Sequence, residues 1–324
     1  MATKRFAFIL DPLEKLDLPW DTSLCLVREL HRQGQSIYYF EASSLFMLSG
    51  KIWGVGRKID PRENHRYEFQ QPEKFQLDQF DVIFIRKDPP FDASYLALTY
   101  LLEPLTGKTI IINRPRGLRN ANEKLFGLIF KRWTPPTLVS ANPEEVLRFQ
   151  ESIHSDLVIK PLYEKGGKGV FLLIRRGGSR ARPFMDAHKG RPYKQKLRTA
   201  TCNGTIPVVA QKFIPLENGA ADKRILLWKG KILGAFKRIP KKGEFRANLS
   251  LGARFAACSV TSQEKKLVED LRPHLLKEGL WFVGLDVRGE FLIEINVTSP
   301  AGLVELDQLY GHVTKKVART ILRL

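Results

Sequence analysis

The sequence predicts an α/β fold, with a parallel sheet early in the chain and antiparallel hairpins with helices after it. Three observations carry this. The chain opens strand, helix, strand over Phe6 to Leu10, Leu24 to His31 and Ser36 to Phe40, the beginning of a parallel sheet with crossover helices. The second half is dominated by glycine-marked hairpins, the clearest running from Trp281 to Pro300. At 324 residues the chain is long enough for a large core and more than one structural unit.

In order, Asp21-Thr22-Ser23 offers N-cap chemistry to the first helix, and Gly34 stops it. Asp81 to Arg86 and Thr109 to Asn113 read as two more parallel strands, with a helix from about Asp92 to Leu105 between them. Ligands in such a sheet gather outside the carboxyl ends of the strands. Those ends, at Asp11, Arg86 to Asp92 and Asn113 to Pro115, are all polar. Two prolines fix the exit path after Arg86 and leave its guanidinium at the strand's mouth, as a clamp for a substrate carboxylate or as a salt-bridged loop arginine.

A second unit begins near Asn120, where a capped helix is expected to run to Phe130. A helix over Glu144 to Ile153 precedes strand Asp156 to Lys160. Pro161 to Gly169 then forms a glycine-rich, lysine-bearing turn into strand Val170 to Ile174. This lacks the spacing of a P-loop, but its backbone N–H groups suit a phosphate-covering flap as well as a plain hairpin. Pro207 to Phe213, Ile225 to Trp228 and Lys231 to Ile239 are strands. Arg224 and Arg238 lie at the ends of the last two, and a plain two-residue turn would put them on opposite faces. Thr261 to Glu278 is an amphipathic helix, and a single closing helix is expected over Leu303 to Leu324.

The hairpin at Trp281 to Pro300 carries the chemistry. With a three-residue loop at Val287-Arg288-Gly289, Asp286 pairs with Glu290. Trp281, Val283, Leu285, Val287, Phe291, Ile293 and Ile295 then make a buried face, and Asp286, Glu294 and Asn296 share the other. Two carboxylates and an amide oxygen are hard ligands suited to Mg²⁺ that completes its shell with phosphate oxygens. A half-solvated hairpin would carry the same pattern, so the rest of the chain decides.

Composition narrows the classes. The apolar fraction is 43%, and no apolar run approaches the ~18 residues of a membrane span. The N-terminus reads as a first strand rather than a secretory signal. Cys25, Cys202 and Cys258 are far apart, which argues against a disulfide framework or thiolate metal site and for a reducing cytosol. Lys and Arg number 53 against 34 acids, a net charge of +19. Nine of these bases fall between Arg175 and Arg198, a stretch that reads as a charged loop. No recognition motif accompanies the excess, which argues against nucleic acid as a partner, and a funnel toward anionic substrates accounts for part of it.

Collinear motifs then point to one family. DP at Asp11, DTS at Asp21, RKDPPFD at Arg86, NEKLF at Asn122, KPL with GGKG across Lys160 to Gly169, AQ at Ala210, DKR at Asp222, RIP at Arg238, RANL at Arg246, VGLD and EINVTSP occur in this order. The chain resembles the bacterial glutathione synthetases of the ATP-grasp superfamily. The resemblance implies an N-terminal α/β domain over 1–122 and an ATP-grasp domain over 123–324, divided into 123–206 with the flap and 207–324 with the metal site. It implies an ADP-forming ligase that joins γ-glutamylcysteine to glycine through an acyl phosphate, in the cytoplasm and as a homo-oligomer. By motif, Asp286, Glu294 and Asn296 would hold two Mg²⁺ ions, with Mn²⁺ as an alternative. Lys124, Lys160, Gly166 and Gly167 would bind ATP phosphates, Gln211 to Ile214 would border adenine, and Asp222 would lie by the nucleotide. Arg224 and Arg238 would act in catalysis, Asp21, Ser23 and Arg86 would hold the dipeptide, and Thr298 and Ser299 would meet the acceptor.

The chain departs from the family pattern at three places. Tyr163-Glu164 stands where Asp-Gly is usual, Ser250-Leu251-Gly252-Ala253 keeps one glycine of a pair, and Ala301 and Val304 replace a threonine and an arginine. These changes leave room for a different acid or amine substrate.

Overall fold

The computed structural model describes residues 3–164, 166–175, 191–216 and 221–324. A mixed sheet comes first, with β1 (Arg5–Leu10), β2 (Ser36–Glu41), β3 (Leu45–Leu48), β4 (Lys51–Pro61), β5 (Tyr67–Phe69), β6 (Glu73–Gln76), β7 (Val82–Ile85) and β8 (Ile110–Ile112). Its order is β3-β4-β2-β1-β7-β8, with β5 and β6 both on β4. β1, β2, β7 and β8 run parallel, as the opening pattern predicts, and α1 (Thr22–Arg32) and α2 (Ala93–Leu102) serve as crossovers. Strands β3 to β6 are antiparallel additions that sequence patterning missed. Three of them span only three or four residues, too short for alternation to show.

α3 (Pro115–Asn120) follows β8. The helix expected from Asn120 to Phe130 is only a 3₁₀ stretch at Phe126–Ile129, because the Asn122 side chain accepts from the N–H groups of Lys124 and Leu125 and holds the chain in a turn ahead of it. Next comes a small antiparallel sheet, β11-β10-β12-β9, from β9 (Thr137–Ser140), β10 (Leu157–Pro161), β11 (Phe171–Leu173) and β12 (Val208–Lys212). α4 (Pro143–Ser152) and α5 (Arg191–Ala200) pack on it. The charged stretch Arg175 to Arg198 is thus not all loop: α5 turns Leu197 into the small core, leaves Lys194 and Arg198 exposed and half-buries Lys196. The remainder, 176–190, lies outside the described residues.

The third sheet, β15-β14-β13-β16-β17, is antiparallel. Its strands are β13 (Asp222–Trp228), β14 (Lys231–Ile239), β15 (Arg254–Ala257), β16 (Phe282–Arg288) and β17 (Phe291–Asn296). α6 (Ser262–Lys277) begins with a capping box between Thr261 and Glu264. The closing helix is two helices, α7 (Leu303–Tyr310) and α8 (Val313–Leu322). Gly311 and His312 both take positive φ between them, which ends one helix and reorients the chain for the next.

Both large cores are shared between the first and third sheets. Ala7 and Ile9 pack in one with Ile225, Val283, Leu285 and α6, whereas Phe6 and Phe8 pack in the other with Leu226, Phe236, Phe282 and α8. One side chain reinforces this seam. Asn113, 3% exposed, donates through Nδ2 to the carbonyls of Phe282 (2.8 Å) and Val297 (2.7 Å), and its Oδ1 accepts from the N–H groups of Trp281 (2.7 Å) and Phe282 (2.9 Å). Gly117 in α3 makes a second close approach, since a Cβ there would lie 2.2 Å from the Glu278 carbonyl oxygen. Backbone cannot yield as a flexible side chain does, so Gly117→Ala is expected to lower stability by about 2–3 kcal/mol in urea unfolding, with the ligand site unchanged. Stability within 0.5 kcal/mol of wild type would mean that the approach is not tight.

Candidate active site

A cavity of about 380 Å³ opens between the small sheet and the third sheet. Its walls include Glu123, Lys124, Lys160, Glu164, Gly166, Gly167, Gln211, Ile214, Asp222, Arg224, Arg238, Asp286, Glu294, Asn296, Thr298, Ser299 and Glu305. Nearly all of the residues singled out from sequence therefore converge.

The convergence depends on two β-bulges. The third hairpin sheet closes β16 to β17 with a two-residue turn, Gly289-Glu290, so that Arg288 pairs with Phe291 and Val287 with Leu292. That corrects the three-residue loop and the Asp286–Glu290 pairing expected from alternation. A regular ladder would then place Glu294 on the apolar face, but a register shift beyond Val287 absorbs Ile293 and sets Asp286 opposite Glu294. Leu292 is consequently the core residue, 1% exposed, while Ile293 turns to the cavity. The β13–β14 hairpin repeats the device: it turns at Lys229-Gly230, and a shift between Leu226 and Leu227 leaves Leu233 unpaired. Asp222 then faces Arg238, and Arg224 and Arg238 share the polar face with Asp286.

On this face the charges form a chain. Arg224 grips Asp286 with two bonds, Nε to Oδ1 at 2.6 Å and Nη2 to Oδ2 at 3.2 Å, and donates through Nη1 to the Ala301 carbonyl at 3.0 Å. Arg238 donates from Nε to Asp222 Oδ1 at 2.6 Å and from Nη1 to Asp286 Oδ2 at 3.3 Å. Arg288 stands 3.9 Å from Asp222 and holds the Phe245 carbonyl at 3.0 Å. Burial works to raise the Asp286 carboxyl, and the guanidiniums of Arg224 and Arg238 outweigh it and hold the group below the ordinary carboxylate range. Asn296 donates its amide nitrogen to the Gly284 carbonyl at 3.2 Å, which turns its oxygen into the available ligand atom. Asp286, Glu294 and Asn296 thus fit a hard divalent cation by donor type and placement. Among the described residues no group of three or more His, Cys, Asp or Glu is arranged to hold a metal alone, so phosphate oxygens and water would complete its shell.

The lysines face this wall from the other side. Lys124 Nζ lies 3.4 Å from Glu294 Oε1 and donates to the Glu164 carbonyl at 2.6 Å. Lys160 Nζ donates to Gln211 Oε1 at 2.7 Å, and Gln211 is held by Thr137 Oγ1 at 3.0 Å. Burial lowers Lys160 to about 8, with Lys124 adding to the effect and Glu294 opposing it. Its charge is therefore present at neutral pH and lost above about pH 8. ATP affinity is expected to fall several-fold between pH 7 and pH 9.5, read by calorimetric titration, and Lys160→Met should abolish that slope. The same slope in the variant would assign it to another group.

Gly166 and Gly167 line the cavity and carry φ of 62° and 78°, values that side-chain-bearing residues adopt at a cost. Arg246 closes the flap from the opposite loop, donating from Nη1 to the Gly167 carbonyl at 3.0 Å. Arg86, Ser23 and Asp21 lie behind the wall. Arg86 is 5% exposed and donates to Ser23 Oγ at 2.9 Å and the Pro300 carbonyl at 3.0 Å, and its Nη1 is buried without a partner. Asp21 caps α1 through the Leu24 N–H at 2.8 Å, and burial raises its carboxyl.

Sequence reasoning gave no role to Glu123, Arg246, Arg288 or Glu305. Glu123 Oε1 accepts from the N–H groups of Val297 (2.8 Å) and Thr298 (3.0 Å) and from Thr298 Oγ1 (2.8 Å), which fixes the segment after the metal ligands. Burial and the neighbouring Glu294 raise its carboxyl. Arg288 would have been found by giving the hairpin its two-residue turn, since it then falls on the polar face.

Two domain families match the chain in succession: the prokaryotic glutathione synthetase N-terminal domain over residues 5–119 and the prokaryotic glutathione synthetase ATP-grasp domain over 123–311. The chain belongs to the prokaryotic glutathione synthetase family. Relatives called glutathione synthetase include one from Synechocystis sp., 36% identical with 95% of each chain covered, and one from Nitrosomonas europaea, 38% identical with 95% of this chain and 93% of the relative covered. Among solved structures the fold resembles a D-cycloserine synthetase, with TM-score 0.66, 13% identity and 98% and 99% of the two chains covered. The ATP-grasp ligase PsnB gives TM-score 0.61, 15% identity and 100% and 99% coverage. The family membership makes the chain an ATP-grasp ligase. No described helix is long and apolar enough to cross a membrane.

Proposed function

We propose that this family member joins the terminal carboxylate of γ-glutamylcysteine to the amine of glycine, consuming ATP and releasing ADP and phosphate. The observation that carries this is the meeting, in one cavity, of two lysines, the Asp286–Glu294–Asn296 oxygen set and the Arg224–Arg238 pair. Phosphoryl transfer needs crowded oxygens neutralised, and acyl transfer needs fixed donors where negative charge develops.

Lys124, Lys160 and the N–H groups at Gly166 and Gly167 take the ATP phosphates, Gln211 to Ile214 border adenine, and Asp222 stands by the nucleotide. Asp286, Glu294 and Asn296 would hold Mg²⁺, two ions by family resemblance with Mn²⁺ as an alternative, to neutralise phosphate oxygens during transfer. Arg224 and Arg238 stay aimed at the reacting carbon when Asp286 is shared, because Ala301 and Asp222 hold their other donors. Arg86, oriented by Ser23 beside Asp21, serves the dipeptide carboxylate, and Thr298 and Ser299 border the acceptor.

The same proposal divides the chain into 1–122 and 123–324, with 123–206 covering the nucleotide. It also places the enzyme in the cytoplasm as a homo-oligomer, a reducing compartment suiting three free thiols. ADP release should require ATP, Mg²⁺, γ-glutamylcysteine and glycine together. Release with a different acid or amine alone would move the specificity, in keeping with the departures at Tyr163-Glu164 and Ala301, and no release with any pair would overturn the ligase roles assigned here.

A further inference from the structure

We propose that Glu305 binds the acceptor's ammonium group and removes its proton, acting as the general base for amide formation. This rests on the ligase reading above. An amine acceptor is protonated at neutral pH and cannot attack an acyl phosphate until it gives up a proton, so the site needs a carboxylate with capacity to spare.

The other acids of the cavity are committed. Asp286 is held by Arg224 and Arg238, Asp222 by Arg238, Glu294 stands beside Lys124, Glu123 takes three donors, Glu164 lies 3.6 Å from Lys168, and the charge of Asp88 acts on Arg86. Glu305 is different. It projects from the first turn of α7 into the cavity wall, is 5% exposed, and its Oε2 is buried with no hydrogen-bond partner. A buried carboxylate oxygen left unpaired is costly in a ligand-free protein and becomes satisfied when a cationic donor arrives.

Its neighbourhood supplies direction. The charge acting on it comes from Arg224 on β13, whose Nη1 is pinned to the Ala301 carbonyl. Arg224 and Glu305 therefore line the same end of the cleft, the cation suited to the developing oxyanion and the carboxylate to the incoming nitrogen. Asp307, two residues on, is turned away: its Oδ1 accepts from the Thr314 N–H at 2.9 Å, and its Oδ2 faces Cys25. Burial raises the Glu305 carboxyl, and its own backbone N–H and then Arg224 oppose without cancelling the rise, a balance that favours a base over an inert anion.

The step balances. Glu305 Oε2 takes one proton from the ammonium, and the freed nitrogen lone pair forms the C–N bond. The C–O bond to phosphate breaks with its electron pair, and the second proton lost from nitrogen leaves with the phosphate as hydrogen phosphate. Glu305 then returns its proton to water.

Hydroxylamine, an amine that is unprotonated at neutral pH, separates this role from a structural one. For Glu305→Gln, kcat/KM with glycine should fall about 100-fold or more relative to kcat/KM with hydroxylamine. Glu305→Asp should recover part of the ratio, and in wild type the rate with glycine should plateau above the carboxyl's pKa. A ratio unchanged in the glutamine variant, or a wild-type rate that climbs tenfold per pH unit toward glycine's own pKa without a plateau, would overturn the proposal. Should wild type turn over neither amine, the ligase reading fails instead. If the glutamine variant does not fold, the wild-type pH profile and the aspartate variant still decide.

Discussion

Asp286→Asn should abolish more than 99.9% of ADP release and lower stability by about 3 kcal/mol. Asp286 is 6% exposed and is the meeting point of two guanidiniums. Removing its charge leaves Arg224 and Arg238 buried with less than their share of negative partner, and breaking such a pair costs about 3–5 kcal/mol. The lower end applies because Arg238 keeps Asp222 and Arg224 keeps the Ala301 carbonyl. The loss of rate is larger than the loss of stability implies, since the carboxylate is also a ligand in the proposed metal set and such charge is worth several kcal/mol in a dry cleft. Urea unfolding and steady-state ADP release give both numbers. Because the folded carboxyl sits below its unfolded value, its stabilisation is full above the unfolded value of about 3.9 and disappears as pH falls through the folded one. The stability gap between wild type and variant should therefore close in acid. A variant keeping a tenth of wild-type activity would remove Asp286 from the reaction.

Arg238→Met is expected to lower kcat/KM by about 10²–10³-fold and stability by about 3 kcal/mol. Arg238 is 8% exposed and links two acids on neighbouring strands, and methionine fills its volume without its charge. Asp222 is left with Arg288 at 3.9 Å, a distance too long for a hydrogen bond. Lysine should not substitute, because one ammonium lacks the planar fork that reaches both carboxylates. The double variant with Asp286→Asn should lose less than the sum of the single effects, as expected for groups in direct contact. Strict additivity would show that the two act separately.

Much of this site was legible because strand alternation has a period of two. The expected partner of Asp286 was Glu290 and the actual one is Glu294, a slip of four residues, and an even slip keeps the residues beyond the bulge on their faces. The face containing Asp286, Glu294 and Asn296 thus survived a wrong turn. Arg224 and Arg238 had no such protection. Their common face depends on the bulge at Leu233, for which Gly234 in the strand interior was the available signal. The bulge at Ile293 carries no glycine and leaves no trace in composition. Phe291 and Ile293 were accordingly assigned to the core that Leu292 fills. Glu305 was invisible for another reason: one acid in the first turn of a helix is ordinary capping chemistry, and only the cavity beside it distinguishes it.

The saturated amide of Asn113 bears on how the cleft opens. It sews the end of β8 to β16 and to the segment after β17, where the first and third sheets already share two apolar cores. The small sheet is different, because its core of Val146, Leu157, Ile159, Leu173, Leu197, Val208 and Ala210 takes nothing from either. Separating the first and third sheets would expose both cores, whereas lifting the small sheet needs only its rim contacts, such as Lys124 to Glu164 and Arg246 to Gly167, to release. The carboxylates and arginines therefore sit on the part of the protein that both large cores hold together, and the small sheet facing them is anchored by far less buried apolar surface.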